Sequence, residues 1–133
     1  MESIINYGDG IAAIDSGFIR PRLAAVHCII EEDHVALVDT ATNPSSIKVL
    51  AELAAHGVRP TQVDWILLTH IHLDHAGAAG VLARVLPNAR VAVHQRGARH
   101  MADPSRLMAG TVSVYGEELV RERYGEILPI PPE

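Results

Sequence analysis

Hydrophobic residues along this chain alternate between short runs of strand length and longer stretches with helical spacing. A hairpin is predicted where two apolar runs flank the charged turn Glu31–His34. The run Trp65–Leu68 has the length and composition of a buried strand. In all, strands are predicted at 11–14, 24–30, 35–38, 65–68 and 90–93. Hairpin strands followed by alternation of strands with helices indicate an α/β fold.

Apolar residues spaced three and four apart predict helices between the later strands. The first helix opens near Pro44 and ends before Gly57. Its predicted inward positions are Ile47, Leu50, Leu53 and Ala54, and those of the next helix are Val81, Leu82, Val85 and Leu86. Further helices are predicted at 95–101 and 111–124, the latter with Gly116 inside it. The proline-rich tail 128–133 predicts no regular structure and reads as a linker.

Residues 69–75, Thr-His-Ile-His-Leu-Asp-His, concentrate the chemistry of the chain. They follow a predicted strand and precede a helix, which is where α/β folds place their sites. His70 and His72 point the same way in an extended segment, while Asp74 and His75 can reach a second point from a turn. Imidazole and carboxylate are ligands that zinc and iron accept. Because paired metals about 3.5–4 Å apart are a known hydrolytic arrangement, the pattern predicts a two-metal site.

Composition and net charge limit the kinds of binding partner that we expect for this chain. The 133 residues carry a net charge of −5, which argues against a nucleic-acid surface. A single cysteine, Cys28, excludes an internal disulfide and favours a reducing compartment. No apolar stretch approaches the roughly 18 residues that span a bilayer, and no secretory signal is visible. We therefore expect a cytoplasmic protein with a small-molecule substrate, without nucleic-acid or membrane partners.

The segment His70-Ile71-His72-Leu73-Asp74-His75 resembles the His-x-His-x-Asp-His signature of the metallo-β-lactamase-fold hydrolases. The run Val35–Thr40 resembles that family's early strand ending in Asp-Thr-Gly, with Ala41 in place of the glycine. The resemblance extends from about Ala24 to the end of the chain. It implies a four-layer αββα sandwich, of which residues 1–133 would form the amino-terminal half: one mixed sheet with outer helices. Such a half would expose an apolar sheet face, so we expect self-association through that face.

The resemblance also implies roles for the cluster. His70 and His72 would bind the first of two zinc ions, and Asp74 and His75 the second. Asp74 would in addition be catalytic, orienting the nucleophile and passing a proton to the leaving group. Asp39, after a neighbouring strand, would either accept a hydrogen bond from a ligand imidazole or cap a turn. The family's three remaining ligands have no match in context downstream, where the histidines are His94 and His100, so the chain is expected to carry half a metal site.

The implied function is a metal-dependent hydrolase in which a metal-bound hydroxide attacks a small ester, thioester, lactone or lactam. Likenesses around Asp103-Pro104 and Tyr115-Gly116 favour a glyoxalase-II-like member. Two alternatives stay open: an iron-dependent oxidoreductase of the same superfamily, and an inactive fragment that lacks the downstream ligands. Nucleic-acid processing is the weakest option because the chain is acidic.

Overall fold

A mixed β-sheet forms the frame of the molecule. The structure is a computed structural model that describes residues 4–19, 24–125 and 127–130, apart from the Asp74 side chain. Within these residues the strands are β1 Ile4–Gly8, β2 Ile11–Asp15, β3 Ala25–Glu31, β4 His34–Val38, β5 Val63–Leu67 and β6 Arg90–Ala92. They lie side by side in chain order, antiparallel from β1 to β4 and parallel from β4 to β6. The predicted α/β class with one mixed sheet is confirmed.

Helices make the connections that parallel strands require. They are α1 Asn43–Ala55, α2 Leu73–Ala76, α3 Ala79–Val85, α4 Gln95–Ala102, α5 Ser105–Tyr115 and α6 Glu117–Tyr124, with a 3₁₀ turn at Pro60–Gln62. The single helix predicted at 111–124 was wrong. Two helices cover this stretch because Gly116 adopts a φ of 88°, which ends α5, and α5 itself begins at Ser105.

One face of the sheet carries the core. Ile14 pairs with Val26, and Cys28 pairs with Leu37, which in turn pairs with Ile66 on β5. All of these side chains are buried, together with Val49 and Leu53 of α1 and Leu82 of α3. The helices α1 and α3 therefore cover this face, as the alternation of apolar residues along β3 and β4 requires.

The opposite face of the sheet is apolar and uncovered in the described structure. Ile11 on β2, Ile29 on β3 and Trp65 on β5 are 41%, 40% and 40% exposed. They are joined by direct pairing, Ile11 with Ile29, Ile29 with Ala36 and Ala36 with Trp65, so they form a continuous patch. The guanidinium of Arg90 lies 5.2 Å from the centroid of the Trp65 ring and shields part of it. The strand predicted as buried at 65–68 is thus buried on one face only.

Two helix faces differ from prediction. Ile47 of α1 is 77% exposed, whereas Ser45 and Ser46 are buried. The Ser46 hydroxyl donates to the Asn43 carbonyl at 2.7 Å, which satisfies its polar group inside the fold. On α3, Val85 is 44% exposed, whereas Leu82 and the following Leu86 reach the core.

Residues 127–130 have no regular structure, as predicted, but they pack against the domain. Ile127 is buried, and the Ile130 N–H donates to the Met101 carbonyl at 2.8 Å. A Cβ at Gly80 of α3 would overlap the Leu128 carbonyl, so the chain crosses that helix in direct backbone contact. The reading of this segment as a linker was wrong for these residues; 131–133 lie outside the described part. No helix among the described residues is long and apolar enough to cross a membrane.

Candidate metal centre

The turn between β5 and α2 brings three histidines together. The Leu68 N–H donates to the Ala92 carbonyl at 2.9 Å, which holds the start of this turn against β6. His70 and His72 lie on the extended part, and His75 lies in α2. The His70 ring centroid is 4.9 Å from that of His72 and 4.3 Å from that of His75. The segment predicted from its spacing therefore does gather its imidazoles at the carboxyl end of the sheet.

Asp39 forms hydrogen bonds that support this cluster of histidines. It follows β4, is 7% exposed and adopts a φ of 65°, while its N–H donates to the Leu67 carbonyl at 2.8 Å. Its Oδ1 accepts from the Thr69 N–H at 2.9 Å, and its Oδ2 lies 2.9 Å from Thr69 Oγ1 and 3.2 Å from His75 Nδ1. The hydrogen bond predicted between Asp39 and an imidazole of the cluster is present, and its partner is His75.

These contacts set the protonation of two imidazoles. A threonine hydroxyl has one hydrogen, and a carboxylate only accepts, so Thr69 donates to Asp39. The hydroxyl must then accept from the Nδ1–H of His70, which lies 2.9 Å away. His75 likewise donates its Nδ1–H to Asp39. In this tautomer the proton of each ring is on Nδ1 and Nε2 is unprotonated, which is how proteins orient histidine ligands for a metal.

The turn that carries Asp39 is tied to α2. The Thr40 N–H donates to the His75 carbonyl at 2.6 Å, and the Ala78 N–H donates to the Ala41 carbonyl at 3.0 Å. Ala41 has a φ of 63°, in the region that favours glycine. This conformation explains why the similar family strand carries glycine there. Alanine is accommodated because the turn is held from α2.

The donor set fits a divalent metal by its chemistry. Imidazole nitrogens oriented through their Nδ1–H suit zinc and iron. The side chain of Asp74 lies outside the description, and among the described side chains no three histidine, cysteine or acidic groups are arranged to hold one ion together. The argument for a metal therefore rests on the oriented nitrogens and not on a preformed ligand shell.

The two downstream histidines have different surroundings. The His94 Nδ1 accepts from the Arg96 N–H at 3.1 Å and so caps α4 at the surface. His100, on the last turn of α4, lines a cavity of about 570 Å³ together with His72. This role of His100 could not be predicted from the sequence, because the cavity exists only once α5 packs beside residues 68–75, which form the metal turn.

A comparison with known families decides the membership of the chain. The profile of the metallo-beta-lactamase superfamily matches residues 20–132. The chain belongs to this superfamily. The prediction from the His-x-His-x-Asp-His segment is confirmed.

Relatives with different activities share parts of this sequence. An uncharacterized protein of Bacillus subtilis, YobT, is 38% identical over 78 residues, which are 57% of this chain and 32% of YobT. A nitric oxide reductase of Moorella thermoacetica is 34% identical over 68 residues, 51% of this chain and 17% of the reductase. A hydroxyacylglutathione hydrolase of Anaeromyxobacter dehalogenans is 51% identical over 51 residues, 38% of this chain and 18% of the hydrolase.

Solved structures share the fold. The subclass B3 metallo-beta-lactamase MEM-A1, from a soil metagenome library, superposes with a TM-score of 0.69 at 20% identity, over 98% of this chain and 43% of that enzyme. The di-zinc class B3 enzyme LRA-12, from an Alaskan soil metagenome, gives 0.67 at 20% identity, over 77% and 36%. The chain thus spans less than half the length of these relatives and covers only part of their fold.

Proposed function

We propose that this chain supplies part of the two-zinc site of a metal-dependent hydrolase acting on a small ester, thioester, lactone or lactam. The observation that carries the proposal is the Asp39 carboxylate, which holds His75 directly and His70 through Thr69. A turn does not need two imidazoles that both carry their proton on Nδ1 in order to fold. Membership of the superfamily and the hydroxyacylglutathione hydrolase relative favour hydrolysis as the reaction.

In this proposal His70 and His72 hold the first zinc, and Asp74 and His75 hold the second. When bound, the metals would polarise the substrate carbonyl and lower the pKa of the attacking water. Other residues of the chain orient the histidine ligands. Asp39 and Thr69 keep the ring nitrogens of His75 and His70 in the tautomer that leaves Nε2 unprotonated.

Asp74 is the proposed catalytic residue. It orients the attacking water and accepts its proton while the bond from the water oxygen to the carbonyl carbon forms. It then gives that proton to the leaving oxygen, sulfur or nitrogen as the bond from carbon to that atom breaks. Proton transfer of this kind by a positioned carboxylate contributes about 10²–10⁴-fold to the rate.

Metal analysis tests the proposal. We expect calorimetric titration with Zn²⁺ to show binding by the purified chain, and elemental analysis to find more zinc than iron. His70→Ala and His75→Ala should lose this binding, because each removes an Nε2 donor. His34→Ala is the matched control, since His34 lies at the opposite end of β4 and should leave binding unchanged. Equal zinc binding by all four proteins would reject the assigned ligands.

Asp39→Asn tests the orienting contacts. The amide NH₂ cannot accept from both Thr69 and His75, so one ring loses its fixed tautomer. We expect zinc affinity to fall about 10–100-fold, as is typical when the partner of a ligand histidine is removed. Nitrogen chemical shifts of the His75 ring should report the change in tautomer.

Asp64→Asn provides the matched control. It makes the same substitution at the exposed pair of Asp64 with His34, and zinc affinity should not change. Equal zinc affinities for the two variants would show that Asp39 has no part in metal binding.

An iron-dependent oxidoreductase is the second candidate, because the nitric oxide reductase of Moorella thermoacetica shares 34% identity over 68 residues. Metal identity separates the two: iron in excess over zinc in protein purified from cells would favour the oxidoreductase. Absence of both metals and of zinc binding would favour an inactive fragment.

A further inference from the structure

The cavity shared by His72 and His100 has properties that the metal centre alone does not explain. Its volume of about 570 Å³ is in the range of pockets for small ligands. The metal turn forms one wall through Ile71, His72 and Leu73, and α5 forms the facing wall. A molecule in this cavity therefore lies beside one of the proposed metal ligands.

Helix α5 gives the cavity one continuous side. Its lining positions recur in adjacent pairs, Arg106–Leu107, Gly110–Thr111 and Val114–Tyr115, and so follow one helix face for about 12 Å at 1.5 Å per residue. No residue of α5 is fully buried, and Val114 is 73% exposed. The apolar side chains on this face therefore line the cavity, and Leu107 also packs against the core.

Gly110 lies in the middle of this face. Glycine inside a helix is destabilising relative to alanine. A Cβ at Gly110 would meet no atom within 4 Å, so neighbouring packing does not require the glycine. The space that it leaves open belongs to the cavity.

The charges around the cavity favour an anion. The chain as a whole has 16 acidic residues against 11 Lys and Arg, yet the cavity is lined by the cation Arg106 and by no carboxylate of the described residues. Arg106 forms no ion pair with the residues that the structure describes. The nearby Asp103 carboxylate accepts from the Ser105 N–H at 3.2 Å. Hydrogen bonds from Ser105 and, to a smaller extent, the charge of Arg106 lower the pKa of Asp103.

We infer that this cavity binds the acyl part of the substrate, and that this part is an apolar chain carrying a carboxylate that pairs with Arg106. The inference rests on the proposed hydrolase function for its link to catalysis. Leu73, Leu107 and Val114 contact the chain, while His72 places the cavity next to the metals. Arg106 and Gly110 are then specificity residues: the first selects the anion, and the second leaves room for the chain.

Binding of octanoate to the metal-free full chain, followed by amide NMR shifts, tests the inference without any catalytic step. We expect shifts confined to α5 and the metal turn. Arg106 is exposed, so Arg106→Ala should weaken octanoate binding by up to about fivefold, as is typical of a charge pair at the surface, and leave binding of uncharged octanol unchanged. Arg99→Ala, which removes an exposed charge outside the cavity, is the matched control and should bind octanoate normally.

Gly110→Leu should weaken binding of both probes by occupying part of the cavity, whereas Ala109→Leu, at the neighbouring exposed position of α5, should not. Octanoate shifts on the uncovered sheet face, or unchanged binding by Gly110→Leu, would overturn the inference. Octanoate binding without zinc binding would leave the cavity assignment standing and reject the hydrolase. Zinc binding without octanoate binding would leave the proposed hydrolase standing and reject the cavity assignment.

Discussion

At the scale of single residues, a histidine pairs with an aspartate at each end of β4. At its start, His34 Nδ1 lies 2.5 Å from Asp64 Oδ2, with side chains 73% and 37% exposed. Beyond its carboxyl end, His75 Nδ1 lies 3.2 Å from Asp39 Oδ2, with side chains 31% and 10% exposed. The two pairs consist of the same chemical groups but differ in their exposure to solvent. Surface pairs contribute little to stability, so only the sheltered pair at the metal turn is suited to orient a ligand.

The exposed pair predicts a measurable titration. The hydrogen bond from His34 to Asp64 raises the pKa of His34 above its usual 6.5, and the charges of Asp64, Asp33 and Glu32 add to this effect. Because the folded-state pKa is raised, the contribution of His34 to stability is complete below pH 6.5 and is lost as the pH rises through the folded pKa. NMR titration should give a His34 pKa above 6.5, and Asp64→Asn should lower it. An unshifted pKa in the native chain would contradict the contact.

Residue types in the sequence predicted part of the candidate metal centre. The spacing of His70, His72 and His75 predicted their proximity, and Asp39 was found because it ends a neighbouring strand. The role of Thr69 as a bridge between Asp39 and His70 could not be predicted from the sequence, because it depends on which side of the turn the hydroxyl faces. His100 was missed for a similar reason, since only the packing of α5 places it in a cavity.

At the scale of elements, α4 packs directly on the metal turn. A Cβ at Gly97 would lie 2.7 Å from Ile71 Cγ2 and 3.1 Å from Val93 Cγ2. Gly97 is buried, and Ile71 stands between His70 and His72. Glycine at this position therefore allows the helix to support the turn at close range.

Gly97→Ala should move the metal turn. The added methyl is too close to Ile71, so we expect both a lower melting temperature and weaker zinc binding in calorimetric titration. Gly110→Ala is the control: it adds the same group in open space and should raise stability by about 0.5–1 kcal/mol with zinc binding unchanged. Native zinc affinity in Gly97→Ala would show that α4 does not support the site.

Strands were easier to predict than helix faces. Apolar runs at β2 to β6 predicted those strands, whereas β1 was missed because Asn6 and Tyr7 interrupt its apolar run. On α1 the periodicity favoured Ile47 as an inward residue, but the helix turns Ser45 and Ser46 inward. Small hydroxyl residues fit close to the turn after β4, and hydropathy alone does not report that fit.

At the scale of the whole molecule, the uncovered sheet face is a contiguous apolar surface. We propose that copies of this chain associate through the patch of Ile11, Ile29 and Trp65, because a contiguous apolar surface favours burial. Light scattering after size exclusion should show a mass that rises with concentration. Ile29→Lys should reduce this mass, since it places a charge in the patch.

Ile47→Lys is the matched control for association. It replaces an isoleucine that is more exposed, at 77%, but lies on α1 against the other face of the sheet. A monomeric native chain at all concentrations, or equal effects of the two lysine variants, would rule out association through the patch.

Two backbone hydrogen bonds, from the Thr40 N–H to the His75 carbonyl and from the Ala78 N–H to the Ala41 carbonyl, join segments on either side of the crossover through α1. The imidazoles are therefore set in place only when that crossover is complete. Under the proposed function, zinc binds the native chain and not the unfolded one, so metal concentration and folding form one linked equilibrium. A hundredfold excess of free zinc over its dissociation constant would add about 2.7 kcal/mol to the free energy of unfolding. Zinc supply in the cell would then govern how much of the protein persists as well as how much of it is active.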